Sequence, residues 1–275
     1  MARKTERDWD GGQSQRSQSQ SRDKDQRSQN RDQGWSRQSN SERQSSYHAR
    51  KTSNSTSTGF SDEAKRNRMY KLLSNVDIQI KKNFKWDEEG LWSFTNYDIG
   101  LRMASMLLEV PGVTLESCIT DCMSSIGGNT IPFAQTFKSV NAIELNPTRF
   151  TILEHNLSLF KLDNVTMFNG HFQTFLTSLP PTIQNIIYLD PPWGSDYKKH
   201  ESLRLTIGNE DGSRDPLEDI ICAMRTKASV VMVKLPRNYD MSHFQDQTCD
   251  SFKIVKEENY NPPNSMKIVI LVVVE

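Results

Sequence analysis

The apolar run Ile187-Tyr188-Leu189 ends in Asp190-Pro191-Pro192-Trp193-Gly194-Ser195-Asp196-Tyr197, an order of residue types that suits methylation of an exocyclic amine on a nucleobase. Such an amine is conjugated with its ring. It attacks a methyl donor only when acceptors hold its hydrogens and localise the lone pair, which makes positioning the central demand. The Asp190 carboxylate and the carbonyls of Pro191 and Pro192 are candidate acceptors. Proline fixes φ near about −65° and has no N–H, so these carbonyls face a substrate without a competing donor beside them. Trp193 offers a flat indole for stacking. The bland alternative is a strand end and a proline turn with Trp193 in the core, so the surrounding elements must decide.

Those elements alternate. Beyond Gly112, short apolar strands and helical stretches follow one another over 114–121, 129–137, 139–144, 147–157, 165–168, 172–179, 183–190, 216–224 and 229–234. This pattern predicts parallel βαβ units in a doubly wound sheet. Two further strands, 252–255 and 266–274, flank Asn261-Pro262-Pro263-Asn264 as an antiparallel hairpin. Before the sheet, Ser61-Asp62-Glu63 precedes a basic helix, and Thr95 or Asn96 caps a second helix carrying Ile99, Met103, Met106, Leu107 and Val110 at helical spacing.

In an open α/β sheet, ligands bind beyond the carboxyl ends of the strands. Asp121 closes the first strand, and Ser124-Ser125-Ile126-Gly127-Gly128-Asn129-Thr130 forms a turn of small residues into a helix. Glu144 closes the second strand 23 positions after Asp121, near the spacing at which an acid bonds ribose hydroxyls. With Asp190 closing a further strand, a nucleoside cofactor is implied. A hydride carrier would use the same geometry, but G-x-G-x-x-G is missing, as is a P-loop lysine. S-adenosylmethionine has no pyrophosphate and needs less of a phosphate cradle, so methyl transfer is the preferred chemistry.

Of the 275 residues, the first 60 contain no Leu, Val or Ile; Leu72, Val76 and Ile78 are the first of their kinds. The Ser, Gln, Arg, Asp and Asn of 1–60 cannot bury enough apolar surface to offset chain entropy, so this segment is expected to be a disordered tail. It holds 12 Lys+Arg against 7 Asp+Glu, while the remainder holds 22 against 27, so a net charge of zero conceals a basic tail on an acidic body. With Trp9, Trp35 and Tyr47 the tail is suited either to loose RNA contact or to solubilising and partner docking. Cys118, Cys122, Cys222 and Cys249 show no metal-ligand spacing, and no metal is expected. Lacking a signal-peptide core or a membrane-length apolar run, the chain is expected to be soluble and intracellular.

Taken together, the motifs resemble the RNA cap guanine-N2 methyltransferases over about Lys65 to Asn238. Ile126-Gly127-Gly128-Asn129-Thr130-Ile131-Pro132-Phe133-Ala134 is close to the family's V-G-G-N-T-I-Q-F-A. Pro191 to Tyr197 is similar to P-P-W-G-G-P-D-Y, Gly90 to Thr95 to G-W-F-S-V-T, and Leu235-Pro236-Arg237-Asn238 to L-P-R-N. The resemblance implies a class I, Rossmann-like, S-adenosylmethionine-dependent methyltransferase: a seven-stranded, mostly parallel sheet with a C-terminal antiparallel hairpin. It implies a helical extension over 61–95, a methyltransferase domain over 96–275, and methyl transfer to the 2-amino group of 7-methylguanosine on capped RNA in the nucleus.

By the same resemblance, Ser93, Thr95, Asp121, Met123, Gly127, Asn129, Thr130, Glu144, Asn169, His171 and Phe172 surround the cofactor. Trp193, Asp196, Tyr197, Trp92, Arg237 and Lys82 face the substrate, and Asp190, Pro191 and Pro192 hold the amine. A cationic 7-methylguanine over a desolvated indole gains about 2 kcal/mol. This chain has Ser125 in place of a loop glycine, His171 in place of an acid, Asn96 in place of a proline and Asp190 in place of a serine. An Asp-Pro-Pro-Trp quartet is also found in adenine-N6 methyltransferases, so adenine or internal guanine remains the alternative substrate. A non-catalytic RNA-binding module is a third reading. Several residues have two readings: Trp92 as pocket wall or packing, Thr95 as donor contact or helix cap, Lys82 as triphosphate contact or surface lysine, and Arg237 as phosphate ligand or brace for the Asp190 loop.

Overall fold

A computed structural model describes residues 60–178, 184–242, 244, 252–261 and 265–273. The tail expected over 1–60, apart from Phe60, lies outside these residues, as do Cys249 and the Pro262-Pro263-Asn264 part of the hairpin turn.

Seven strands form one sheet: β1 Cys118–Asp121, β2 Ser139–Glu144, β3 Val165–Asn169, β4 Gln184–Leu189, β7 Ala228–Pro236, β8 Phe252–Tyr260 and β9 Met266–Val273. Their spatial order is β3-β2-β1-β4-β7-β9-β8, and β9 runs antiparallel to both its neighbours. The Rossmann-like sheet with its terminal antiparallel strand is therefore present as expected. The period of two along each buried strand divides the core between the faces. Ile186 and Tyr188 of β4, Val230 and Met232 of β7, and Ile268 and Ile270 of β9 pack with α4 (Tyr97–Leu108) and α5 (Thr130–Thr136). Ile187, Leu189, Val231, Val233, Val269 and Leu271 point the other way, onto α7 (Phe172–Ser178) and α8 (Leu217–Ala223).

The helical extension contains α1 (Asp62–Leu72), α2 (Ile78–Asn83) and α3 (Glu88–Ser93). Ser61 caps α1, its Oγ accepting from the Ala64 amide at 3.2 Å. Met69, Leu73, Phe84, Leu91 and Phe94 from this region join Ile126, Ile131 and Leu153 in a third cluster, over α6 (Pro147–Leu159). Asn156, on α6 and fully buried, fastens the two parts. Its Oδ1 accepts from the Lys85 amide at 2.9 Å, and its Nδ2 donates to the carbonyls of Lys85 at 3.0 Å and Ile126 at 2.9 Å.

Several local expectations are corrected. Thr114 to Ser117 turn before β1, tied by the Ser117 Oγ accepting from the Thr114 amide at 3.0 Å. β7 runs on to Pro236 and β8 to Tyr260; β8 is the edge strand, and the polar residues of its second half are half-buried or exposed. A small hairpin between β4 and α8, β5 (Thr206–Gly208) with β6 (Arg214–Pro216), was not expected. Asn96, not Thr95, caps α4, its Oδ1 accepting from the amides of Asp98 and Ile99.

Replacing Asn156 with Leu would leave the buried Ile126 carbonyl and the part-buried Lys85 amide and carbonyl without these partners, at about 1–3 kcal/mol for each group that water does not reach. Urea denaturation of Asn156→Leu is expected to show a loss of about 2–5 kcal/mol of unfolding free energy. A loss below about 0.5 kcal/mol would mean that these bonds do not hold the extension.

Candidate active site

The parallel register of β4 and β7 places Leu189 beside Val233, so the next residues, Asp190 and Lys234, lie side by side at the carboxyl edge. Both follow the parity of Tyr188 and Met232 and turn toward the α4 face. The Lys234 Nζ donates to Asp190 Oδ2 at 2.7 Å and to Thr95 Oγ1 at 2.9 Å, and it lies 5.6 Å from the centroid of the Trp193 ring. Thr95 in turn donates to Asn129 Oδ1 at 2.8 Å, and Asn129 Nδ2 reaches the sulfur of Met103 at 3.4 Å. The Asp190 side chain is 17% exposed and that of Lys234 only 6%. Burial pushes the Asp190 carboxyl above its ordinary range, and the Lys234 charge and hydrogen bond oppose the shift.

Next to this pair, Asp121 is wholly buried at the end of β1. Its Oδ2 accepts from the Thr130 hydroxyl at 2.7 Å and its Oδ1 from the Met123 amide at 3.3 Å. Burial pushes Asp121 up to about 7 against those two bonds, and the charges of Asp190 and Glu144 add to the rise. The turn that follows has Ser125 at φ 49° and Gly127 at φ 103°. Ser125 thus holds the left-handed conformation that glycine adopts without a steric penalty. Glu144 is buried and closes β2. Its Oε2 accepts from the Ser125 amide at 2.8 Å and its Oε1 from the Asn146 amide at 2.7 Å. Each carboxylate oxygen keeps lone-pair capacity for a further donor. Burial raises Glu144, while the Asn146 amide, the Arg149 charge and the Ser125 amide lower it.

Past β3, Asn169 Nδ2 holds the Glu144 carbonyl at 2.7 Å. His171, 9% exposed, places Nε2 at 2.8 Å from the Gly208 carbonyl on β5, and Nδ1 is buried without a partner. A nitrogen facing a carbonyl bonds it as an N–H, so in the neutral ring Nδ1 is an acceptor. Phe172 stacks on this imidazole at 5.2 Å.

On the substrate side, Trp193 is half-buried against the α8-side core, with the Tyr197 ring edge-on at 5.1 Å. Pro191 is buried and Pro192 exposed, and nothing among the described residues donates to either carbonyl. Asp196 is exposed beside His200, 3.5 Å away. Arg237 does not brace the Asp190 loop: its Nη1 donates to Asn261 Oδ1 at 2.8 Å, on the β8 side. The brace is Asn238, whose Nδ2 donates to the carbonyls of Tyr197 and His200, each at 2.7 Å. Trp92, 37% exposed, packs against Phe60 and under Arg68, whose guanidinium carbon lies 4.4 Å from its centroid. Lys82 is exposed on α2, and Ser93 is exposed at the end of α3.

Sequence reasoning missed Lys234 and Asn238. The signal for Lys234 was a lone charge inside Val230-Val231-Met232-Val233-Lys234-Leu235; a buried cation there requires an anion at the same strand edge. The Lys234 ammonium already pairs with the carboxylate that is expected to hold the amine. Thr95 and Thr130 have spent their hydroxyls on neighbouring side chains, so both position other groups. The site combines a carboxylate with one oxygen outside the ion pair, two carbonyls without a donor among the described residues and an indole, beside buried acids at the ends of β1 and β2. Such a set can hold an amine against an electron-poor methyl group.

A family model described as RNA cap guanine-N2 methyltransferase matches residues 116–272. An uncharacterized protein of Acanthamoeba polyphaga mimivirus is 35% identical over 146 residues, covering 50% of this chain and 55% of that protein. The chain thus spans about half the length of this relative. Trimethylguanosine synthase of Schizosaccharomyces pombe is 26% identical over 181 residues, covering 64% of this chain and 70% of the yeast protein. Among solved structures, a putative methyltransferase from Porphyromonas gingivalis aligns with a TM-score of 0.51 at 13% identity, over 68% of this chain and 44% of that one, and so shares the fold. With its motifs on the expected strand ends and more than half its length matched, the chain belongs to the RNA cap guanine-N2 methyltransferase family, whose methyl donor is S-adenosylmethionine.

Proposed function

We propose that this protein transfers a methyl group from S-adenosylmethionine to the 2-amino group of a 7-methylguanosine RNA cap, in the nucleus. The observation that carries this reading is the set of open acceptors at the β4 tip, Asp190 Oδ1 with the carbonyls of Pro191 and Pro192, beside the half-buried Trp193 ring.

The residues present fit the donor. Buried Asp121 has no cationic partner among its hydrogen bonds and suits the donor's positively charged methionine end. Glu144 has capacity for ribose hydroxyls, and the unpartnered His171 Nδ1 suits the adenine amine, with Phe172 and Asn169 framing that end. Met123 and Gly127 lie in the turn after β1 that would border the donor, where Thr130 bonds Asp121 and Thr95 bonds Asn129. When bound, S-adenosylmethionine supplies the electrophilic methyl. Asp190 and a proline carbonyl then hold the two amine hydrogens, localising the lone pair that forms the new N–C bond as the S–C bond breaks. The amine proton leaves afterwards to solvent. Tyr197 and Asp196 border the base, and the basic tail adds non-specific contact to RNA phosphates.

A neutral base is the second reading, favoured by Lys234, which cancels the Asp190 charge. Incubation with labelled donor and either 7-methylated cap dinucleotide, unmethylated cap dinucleotide or an adenine-containing oligonucleotide decides between them. Label is expected in the 7-methylated cap; label in the adenine strand alone would overturn the cap assignment. Trp193→Ala should raise KM for the cap by about 10-fold or more, the equivalent of a cation–π contact of about 1.4–2 kcal/mol.

Donor binding should also depend on pH. The folded Asp121 titrates near 7, above the ordinary carboxyl value of 3.8, so the stability it contributes is present at low pH and lost as pH rises through 7. A cationic donor favours its ionised form. Calorimetry should therefore show affinity for S-adenosylmethionine rising between about pH 6 and 8, with proton release near 7, and Asp121→Asn should flatten this dependence. A wild-type affinity that stays level across this range would count against Asp121 facing the donor's charge.

A further inference from the structure

Lys234 is part of neither the expected site nor the family motifs quoted above, yet it is the one cation among the described residues that touches Asp190. Its ammonium sits in a strand whose neighbours Val230 to Val233 and Leu235 are all buried. Placing a charge there is unfavourable unless its partners are fixed. Three are: Asp190 Oδ2, Thr95 Oγ1 and the face of Trp193. The pairing occupies one carboxylate oxygen and leaves Oδ1 without a hydrogen-bond partner among the described residues. Through Thr95 it also links the β4 tip to Asn129, at the head of the helix that follows the glycine turn.

We propose that Lys234 is a positioning residue for methyl transfer: it holds Asp190 as an ionised acceptor with a single open oxygen, and the Asp190–Lys234 pair replaces the serine that the family has at the strand tip. This rests on the functional reading above and adds to it a group acting through Asp190. Besides Lys234, the titratable groups coupled to Asp190 are Asp121 at the end of β1 and Tyr188 on β4 itself, with Glu144 at the end of β2 acting on Asp121. All three are acidic groups. None of them can keep Asp190 ionised, so that task falls to Lys234.

The test measures methyl transfer to 7-methylated cap dinucleotide from about pH 5 to 9 for the wild type, Lys234→Met, Lys234→Arg, Asp190→Ser and the double variant Asp190→Ser/Lys234→Met. Thermal melting and donor binding serve as controls on folding. Lys234→Met is expected to lower kcat by about 10- to 100-fold, with KM within about threefold, as for loss of a transition-state contact. The acid limb of its kcat profile should move up by about one pH unit or more, because burial then acts on Asp190 unopposed. Lys234→Arg should return the limb toward its wild-type position. The double variant should be at least as active as Asp190→Ser alone, which decides the matter even if Lys234→Met fails to fold. An acid limb that stays in place in Lys234→Met, or a double variant well below Asp190→Ser, would overturn the role of Lys234. A wild type that methylates neither cap nor adenine substrate would instead overturn the functional reading itself.

Discussion

One ion pair at the edge of the sheet sets the arrangement of everything around it. Asp190 and Lys234 meet because β4 and β7 are parallel neighbours in a fixed register, and the Lys234 ammonium opposes the rise that burial imposes on the Asp190 carboxyl. A slip of one residue in either strand would send one of them to the opposite face and leave a buried charge alone. The apolar residues that alternate along β4, β7 and β9 thus do more than fill a core. They set the parity that delivers a carboxylate and an ammonium to the same side of the same edge.

The helical extension is built into this arrangement. Thr95, in the link between α3 and α4, is buried against both Lys234 and Asn129, and a Cβ on Gly128 would lie only 3.1 Å from the Thr95 amide. So close an approach of backbone to backbone favours glycine in that turn. Farther out, Asp87 caps α3 and pairs with Arg149 on α6 at 3.0 Å, and Asp98 accepts from Ser74 and Asn75. These polar ties are individually modest, but they surround an apolar cluster shared by α1, α3 and α6, whose burial supplies most of the adhesion.

Much of the fold could be read from pattern alone. Continuous apolar runs mark β4, β7 and β9, buried on both faces, and Asp121, Glu144 and Asp190 mark strand ends because an acid stops an apolar run. Elements too short to show a period stayed hidden: α2 and α3 have six residues each, and β5 and β6 have three. The site was legible where a motif is contiguous, as from Asp190 to Tyr197. It was not legible where contacts join distant positions, such as Lys234 with Thr95, 139 residues apart. Neighbouring residues of similar chemistry were also hard to separate. Asn96 and Thr95 are both competent caps, and Arg237 and Asn238 are adjacent donors, so only the backbone path decides which one reaches the turn and which one reaches the loop.

β9 lies between β7 and β8, although it follows both in the chain, and its Ile268 stands opposite Lys234. During vectorial synthesis β7 therefore emerges with a bare apolar edge, and it can only be paired once residues 266–273 have left the ribosome. Contacts of such long sequence separation form slowly, and an unpaired edge invites association with other chains. Assembly of the edge that carries Asp190 and Lys234 is thus deferred until β9 has been made.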